Sequence, residues 1–163
     1  MHETFISAIG HSGLPRIRAL AYAIWPEAYA GILPAANIRP MLDDIYALET
    51  LAADIEARGH RYWLAQVDGV DAGFVSAYRD GERVWIKKIY VLASARGLKL
   101  GQRLIDTAVA AFSDATSVAL YVNDGNANAI GFYKAQGFVI EATAPVTMGG
   151  FDYTDYVMAR PLG

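Results

Sequence analysis

The spacing of apolar side chains changes from helical in the first part of the chain to alternating in the middle. A short alternating segment at residues 4–8 predicts a strand, and helical spacing then predicts three helices at residues 12–25, from about 37 to 46, and 48–58. The first helix has Ser12 as a candidate N-cap and Pro15 in its first turn, and we expect it to weaken before Trp25-Pro26. Gly59 fits a left-handed cap of the third helix. The pattern leaves open whether the second and third helices are one kinked helix.

From Arg61 onwards the apolar positions alternate as in extended strands. Strands are predicted at residues 62–67, 72–78 and 83–91, and the dipeptides between them, Asp68-Gly69 and Asp80-Gly81, favour tight turns. These three strands therefore predict an antiparallel meander.

The last part of the chain contains both helical and alternating spacing of apolar residues. An amphipathic helix at residues 102–112 precedes a strand at 117–123, and a strand–helix–strand passage of this length indicates that its two strands run parallel. A helix at 126–136 ends at Gly137, and strands at 139–148 and 153–160 flank Gly149-Gly150. The predicted fold class is α+β, with a mixed, mostly antiparallel seven-stranded sheet flanked by helices.

The amino-acid composition excludes several classes of fold and of functional site. The 163 residues are 54% hydrophobic and 19% charged, which predicts one packed domain rather than a disordered chain. Cysteine is absent, so the chain has no disulfide framework, thiolate metal site or cysteine nucleophile. The three histidines, His2, His11 and His60, lack the spacing of metal ligands, and we expect no metal.

Charge and hydropathy argue against nucleic-acid and membrane partners. The net charge is −3 and no basic cluster stands out beyond Lys87-Lys88 and Arg96 with Lys99, whereas nucleic-acid binding needs a basic patch. The apolar stretch at residues 19–36 is interrupted by Pro26, Glu27 and Pro34, and the N-terminus lacks the pattern of a signal peptide. We therefore expect a cytoplasmic protein.

The segment from Trp85 to Ile105 reads WIKKIYVLASARGLKLGQRLI, a strand, a glycine-bearing turn and a helix. Free backbone N–H groups and the helix dipole make such a turn suitable for an anion. It is not a Walker loop, because no Gly-Lys-Ser/Thr follows, and its spacing is not that of a Rossmann fingerprint. An ordinary strand-to-helix turn remains the alternative interpretation.

A second segment, LYVNDGNANAIGFYKAQGF, runs from Leu120 to Phe138. Asn126 stands at a helix start after the end of a parallel strand, and Tyr133 presents a polar tip on the face that it shares with Ala129 and Ile130. The structural alternatives are that Asn126 is a simple N-cap and that Tyr133 is a core aromatic residue.

Taken in chain order, the two segments resemble the GNAT superfamily of acetyl-CoA-dependent N-acetyltransferases. The first is similar to the family's Arg/Gln-x-x-Gly-x-Gly/Ala signature, with matches at Arg96 and Gly101. Lys99 stands where the signature has its middle glycine, and Gly97 is at a position often occupied by glycine in the family. The resemblance covers most of the chain and implies one GNAT-like acetyltransferase domain, residues 1–163, with a splay between two parallel central strands.

The resemblance also implies a binding site for acetyl-CoA. The strand before the turn would pair its backbone with the pantetheine arm through Ile89, Tyr90 and Val91. The backbone amides that would hold the pyrophosphate are those of Arg96, Gly97, Leu98, Lys99, Leu100 and Gly101. Asn126 would meet the pantetheine, and Tyr133 would lie beside the thioester sulfur as the general acid.

The acceptor site is less determined by the sequence. An amine must lose a proton before it attacks a thioester, so a base is required. The resemblance points to five candidates on the N-terminal helices and the closing hairpin: Glu27, Tyr29, Asp43, Asp44 and Asp155. Four aromatic residues are candidates for an amine pocket or for the core: Trp25, Tyr29, Tyr46 and Tyr153.

We expect an N-acetyltransferase that acts on a primary amine of a small molecule by direct attack in a ternary complex. The run Asn-x-x-Ala-Ile-x-Phe-Tyr and the Met-Gly-Gly of the closing hairpin are similar to bacterial spermidine/spermine acetyltransferases, which suggests a polyamine. The alternatives are a protein or peptide N-acetyltransferase and a non-catalytic acyl-CoA-binding sensor. A homodimer is frequent among similar proteins.

Overall fold

Seven strands form one mixed sheet in the computed structural model, which describes residues Met1 to Gly163. The strands are β1 Thr4–Ile9, β2 Arg61–Val67, β3 Val70–Asp80, β4 Arg83–Val91, β5 Ser117–Asn123, β6 Val139–Met148 and β7 Phe151–Pro161. The helices are α1 Leu14–Ala28, α2 Ala35–Ile45, α3 Leu48–Arg58, α4 Leu100–Ala110 and α5 Ala127–Ala135. The strand order is β1-β2-β3-β4-β5-β7-β6, and only β4 and β5 pair in parallel. The predicted fold class is confirmed.

The parallel pair separates after a short ladder. Residues Arg83 to Ile86 pair with Ser117 to Leu120, and no pairing continues beyond them. We call the gap between the later parts of the two strands the splay. On its other side β4 contains a β-bulge at Lys87, because Ser76 pairs with Lys88 and Ala77 with Ile86. The bulge and the splay occur at the same part of β4.

Helices cover both faces of the sheet, and each face has its own core. On one face α4 and α5 pack against a cluster that includes Ile86, Leu104 and Leu120. On the opposite face α1, α2 and α3 pack against a cluster that includes Ile17 and Phe74. An opening between β4 and β5 therefore connects two covered faces rather than the solvent on either side.

The first helix differs from its prediction at both ends. It does not weaken before Trp25-Pro26 but continues through Pro26 to Ala28. Proline removes only one N–H from the ladder near the helix end, and the burial of Ile24 and Trp25 keeps this turn in place. Ser12 is not the N-cap, because the helix begins at Leu14 after a short 3₁₀ turn.

The second and third helices are separate. Ala47 lies between them in an extended conformation, with φ −56° and ψ 135°, which ends α2 and starts α3. Gly59 caps α3 in the left-handed conformation at φ 69°, as predicted. None of the helices has the length and apolar character that a membrane span requires.

Candidate active site

A cleft of about 1330 Å³ passes through the splay and reaches both faces of the sheet. Its wall contains nearly all the residues that the sequence predicted for cofactor binding: Ile89, Tyr90, Val91, Arg96, Gly97, Lys99, Leu100, Gly101, Asn126 and Tyr133. Leu98 is the exception, because it does not line the cleft and its side chain packs against the core under α4. The structure thus brings together segments that are far apart in the chain.

The turn before α4 offers a row of free backbone donors at one end of the cleft. The N–H groups from Gly97 to Gln102 take part in no backbone hydrogen bond, as expected at a helix start. Arg96 differs, because its N–H donates to the carbonyl oxygen of Ala93 at 3.2 Å. Its exposed guanidinium, rather than its amide, is therefore the part of Arg96 free for an anion. Together with the helix dipole, these donors form an anion-binding turn.

Two residues of this turn explain what the signature requires. Lys99 adopts the left-handed conformation, with φ 59° and ψ 27°, which glycine adopts without strain and lysine does not. Gly101 lies against α5 so closely that a Cβ atom would be 3.0 Å from Cζ of Phe132. The backbone at Lys99 therefore favours glycine, and a side chain at Gly101 would require the Phe132 ring to shift.

The two polar residues of α5 have different surroundings. Asn126 is the N-cap of α5, and its side-chain oxygen accepts a hydrogen bond from the Ala129 N–H at 3.2 Å. It also lines the cleft, so the capping role and the predicted ligand role are compatible. Tyr133 is 8% exposed, lines the cleft, and has its pKa raised by burial. Its hydroxyl group therefore keeps its proton at neutral pH.

A pair of tyrosines approaches the splay from the opposite face of the sheet. The hydroxyl groups of Tyr29, the C-cap of α1, and of Tyr90 on β4 are 2.8 Å apart and share a hydrogen bond. Burial raises the pKa of both, that of Tyr29 to about 12. The Trp25 ring packs against both tyrosine rings, at centroid distances of 4.8 and 5.7 Å. The middle of the cleft is thus walled by aromatic rings with protonated hydroxyl groups.

Asp155 is the buried carboxylate of the cleft. Its side chain is 5% exposed, and its Oδ1 atom has no hydrogen-bond partner. Burial raises the pKa of Asp155 to about 6, and the charge of Asp124 adds to this effect while Lys87 opposes it. Asp155 pairs with Asn123 at the end of β5, so it stands at the splay. This position gives the cleft a carboxylate that is a stronger base than an exposed aspartate.

The other candidate bases are placed less well. Glu27 and Asp43 lie outside the cleft, and Asp43 is exposed and bound to the Arg39 guanidinium at 2.9 Å. Asp44 lines the cleft but is exposed. Among the aromatic candidates Trp25, Tyr29 and Tyr46 line the cleft, whereas Tyr153 does not, and its hydroxyl group accepts from Asn37 at 3.0 Å.

A charged group that was not predicted from the sequence lies on the α1–α3 side of the cleft. Lys88 is 5% exposed, and the side chains of Asp54 and His60 lie beside it, all three lining the cleft. The available signal is the pair Lys87-Lys88 in an apolar strand, because successive strand residues point to opposite faces and both faces are covered here. No group of three or more His, Asp or Glu side chains is placed to hold a metal ion.

Comparisons with known proteins agree with this geometry. The model of the Acetyltransferase (GNAT) family matches residues 19–138. A probable N-acetyltransferase of Mycobacterium tuberculosis is 25% identical over 136 residues, which cover 78% of this chain and 75% of that protein. The PaiA N-acetyltransferase of Thermoplasma acidophilum, solved with coenzyme A, superposes with a TM-score of 0.83 at 21% identity, over 98% of this chain and 99% of that one. The ribosomal-protein-S18-alanine N-acetyltransferase of Escherichia coli superposes with a TM-score of 0.71 at 18% identity, over 98% and 94%.

Proposed function

The chain belongs to the GNAT acetyltransferase family, as the sequence resemblance predicted, and from this premise we propose that it acetylates the primary amine of a small molecule. The chain is an acyltransferase, and its acetyl donor is acetyl-CoA. The observation that carries the proposal is the cleft through the splay, whose wall contains all the predicted cofactor-binding residues except Leu98.

The wall of the cleft fits a long ligand with phosphate groups at one end. In this proposal the free N–H groups from Gly97 to Gln102 hold the pyrophosphate, and the Arg96 guanidinium adds a charged contact. The edge of β4 beyond Ile86 has no partner strand on the side of β5, so its backbone is available to pair with the amides of pantetheine. The thioester then lies in the splay beside Tyr133.

The reaction forms a C–N bond and breaks a C–S bond. A free primary amine has a pKa of about 10, so the bound amine must lose a proton before or during attack on the carbonyl carbon. Asp155 accepts this proton, because its pKa of about 6 leaves it ionised at neutral pH and makes it more basic than a free aspartate. An unpaired N–H of β4 near Tyr90 or Val91 stabilises the oxyanion that forms.

The leaving thiolate needs a proton or a hydrogen bond. Tyr133 retains its proton at neutral pH because burial raises its pKa. The same burial raises the pKa of the thiol formed beside it. The pKa of the thiol therefore moves in the same direction as that of the phenol as charge develops on the sulfur. Tyr133 therefore acts as the general acid, and no covalent enzyme intermediate is required.

The closing hairpin favours a small acceptor. Its turn lies against α2, where a Cβ atom on Gly149 would be 2.7 Å from the Cα of Met41. Thr147, Met148 and Gly149 line the cleft, so the hairpin turn held against α2 forms part of its wall. An extended peptide needs an open groove, whereas a small amine, including the polyamines suggested by the sequence, does not.

Thiol release from acetyl-CoA tests the proposal. The purified chain is assayed with polyamines, amino acids, aminoglycosides and peptides with free N-termini or lysines. We expect turnover with at least one small amine and a kcat/KM for it that exceeds that of every peptide. A preference for peptides would favour a protein acetyltransferase. Binding of acetyl-CoA without turnover of any acceptor would favour the acyl-CoA-binding sensor.

A further inference from the structure

Lys88 is a buried cation whose charge no carboxylate contacts at hydrogen-bond distance. It is 5% exposed, and its Nζ atom is 4.0 Å from Oδ2 of Asp54, beyond the range of a hydrogen bond. Asp54 already binds the Arg58 guanidinium at 2.7 Å. The charge of Asp54 is therefore already compensated by Arg58. Burial lowers the pKa of Lys88 to about 8. A buried charge of this kind is costly unless a further group compensates it.

Buried polar atoms beside Lys88 lack hydrogen-bond partners. Its ammonium lies over the Tyr46 ring at 5.7 Å from the centroid, and the Tyr46 hydroxyl group is buried without a hydrogen-bond partner. The Nδ1 atom of His60 is also buried and unpartnered. Tyr46, His60 and Lys88 all line the cleft. A buried site with several unpartnered polar atoms and a cation is complementary to an anionic acceptor group.

One positive charge is unmatched in the cluster formed by Lys88, Arg58, Asp54 and His60. Lys88 and Arg58 are cations, Asp54 is the one carboxylate in contact with them, and burial lowers the pKa of His60 to about 4, which keeps it neutral. One singly charged anion would balance the group, whereas a phosphate dianion would leave a net negative charge in a buried place. A carboxylate therefore fits better than a phosphate.

We propose that Lys88, with the Tyr46 hydroxyl group, binds a carboxylate of the acceptor, so that the substrate is an amine that also carries a carboxylate. This inference rests on the proposed function. Lys88 faces the same side of the sheet as Tyr90. The amine of the acceptor lies at Asp155, which also lines the cleft at the splay. The bound acceptor then spans from the ammonium of Lys88 to the carboxylate of Asp155. Polyamines, which carry only positive charge, place a cation against Lys88 and are disfavoured.

Calorimetric binding to the chain saturated with coenzyme A tests this assignment. The probes are β-alanine, L-lysine and L-phenylalanine, each compared with its carboxamide, which keeps the amine and lacks the negative charge. We expect at least one acid to bind about tenfold or more tightly than its carboxamide. Equal affinity within every pair, or no binding of any acid, would overturn the assignment. This comparison uses the unaltered chain and does not depend on a variant folding.

Variants of Lys88 supply the second measurement. Lys88→Met keeps the length of the side chain and removes the charge, so we expect it to remove the preference for the acid and leave carboxamide affinity unchanged. Lys88→Arg retains the charge and should keep part of the preference, and Lys134→Met, an exposed change outside the cleft, should keep all of it. An equal loss for acid and carboxamide in Lys88→Met would show a structural role. Failure of the proposed function would be distinguishable from failure of the Lys88 assignment. In that case no amine would be acetylated, whether or not acids bind more tightly than carboxamides.

Discussion

The parallel ladder between β4 and β5 ends at the pair of Ile86 and Leu120. The next residue of β4, Lys87, forms the β-bulge, and from there the strand borders an open cleft instead of its neighbour. The end of this ladder gives the protein both a free strand edge for the cofactor and a passage between the two faces of the sheet.

Tyr133→Phe should lower kcat at least ~100-fold while the affinity for acetyl-CoA stays nearly unchanged, because the variant loses only the proton donor. Steady-state thiol release and a separate binding measurement give the two quantities. Tyr156→Phe is the matched control, since Tyr156 lies on β7 and does not line the cleft. Unchanged turnover in Tyr133→Phe would remove this residue from the mechanism.

Gly101→Val should weaken acetyl-CoA binding by about tenfold or more, because the new side chain fills the anion-binding turn and meets the Phe132 ring. Gly131→Val is the control, since a Cβ atom at Gly131 has no neighbour within 4 Å and the residue does not line the cleft. Titration with acetyl-CoA measures both. Normal binding by Gly101→Val would mean that this turn does not hold the cofactor.

The cofactor half of the site was predictable because it depends on contiguous sequence. The residues from Ile89 to Gly101 form a strand and a helix start, and their backbone donors follow from that local structure alone. The acceptor half of the site was not predictable in the same way. Asp155 was one of five candidate bases, and its burial arises from the packing of β7 beside β5, which no local pattern reveals.

Lys99→Gly should stabilise the protein by about 0.5–1 kcal/mol, because glycine adopts the left-handed conformation of this position without strain. For a chain of this size the expected rise in Tm is about 1–4 °C. Lys99→Ala retains the strain and removes the charge, and it should show no rise. Thermal unfolding measures both variants. A lower Tm in Lys99→Gly would contradict the strain at residue 99.

Asp155→Asn should lower kcat/KM at least ~100-fold and at the same time raise the Tm at pH 7 by a few degrees. Activity falls because the amide accepts no proton, and stability rises because a buried charge is removed. Asp114→Asn is the control, since Asp114 is exposed in a left-handed turn that asparagine tolerates. Full activity in Asp155→Asn would exclude Asp155 as the base.

The pH dependence follows from the same residue. The kcat/KM of the unaltered chain should rise with pH through about 6, as Asp155 loses its proton and becomes a base. Its pKa is raised by folding from 3.8, so the folded state binds the proton more tightly than the unfolded state. The corresponding part of the stability is present below about pH 4 and is lost as the pH rises through 6. Asp155→Asn should lack both effects.

Two further differences between sequence and structure have tertiary causes. The Trp25-Pro26 pair is a sound signal for a helix end, yet the burial of Trp25 extends α1 to Ala28. Lys88 was not predicted as a site residue, because the burial of its strand face depends on α2 and α3. In both cases, contacts from distant elements overrode a local preference.

A crystal structure of the chain with coenzyme A bound tests whether the splay is the cofactor site. We expect the pyrophosphate on the N–H groups from Gly97 to Gln102, the pantetheine against β4 beyond Ile86, and the sulfur about 3–4 Å from the Tyr133 hydroxyl oxygen. Coenzyme A bound outside the splay, or with its sulfur remote from Tyr133, would contradict the account.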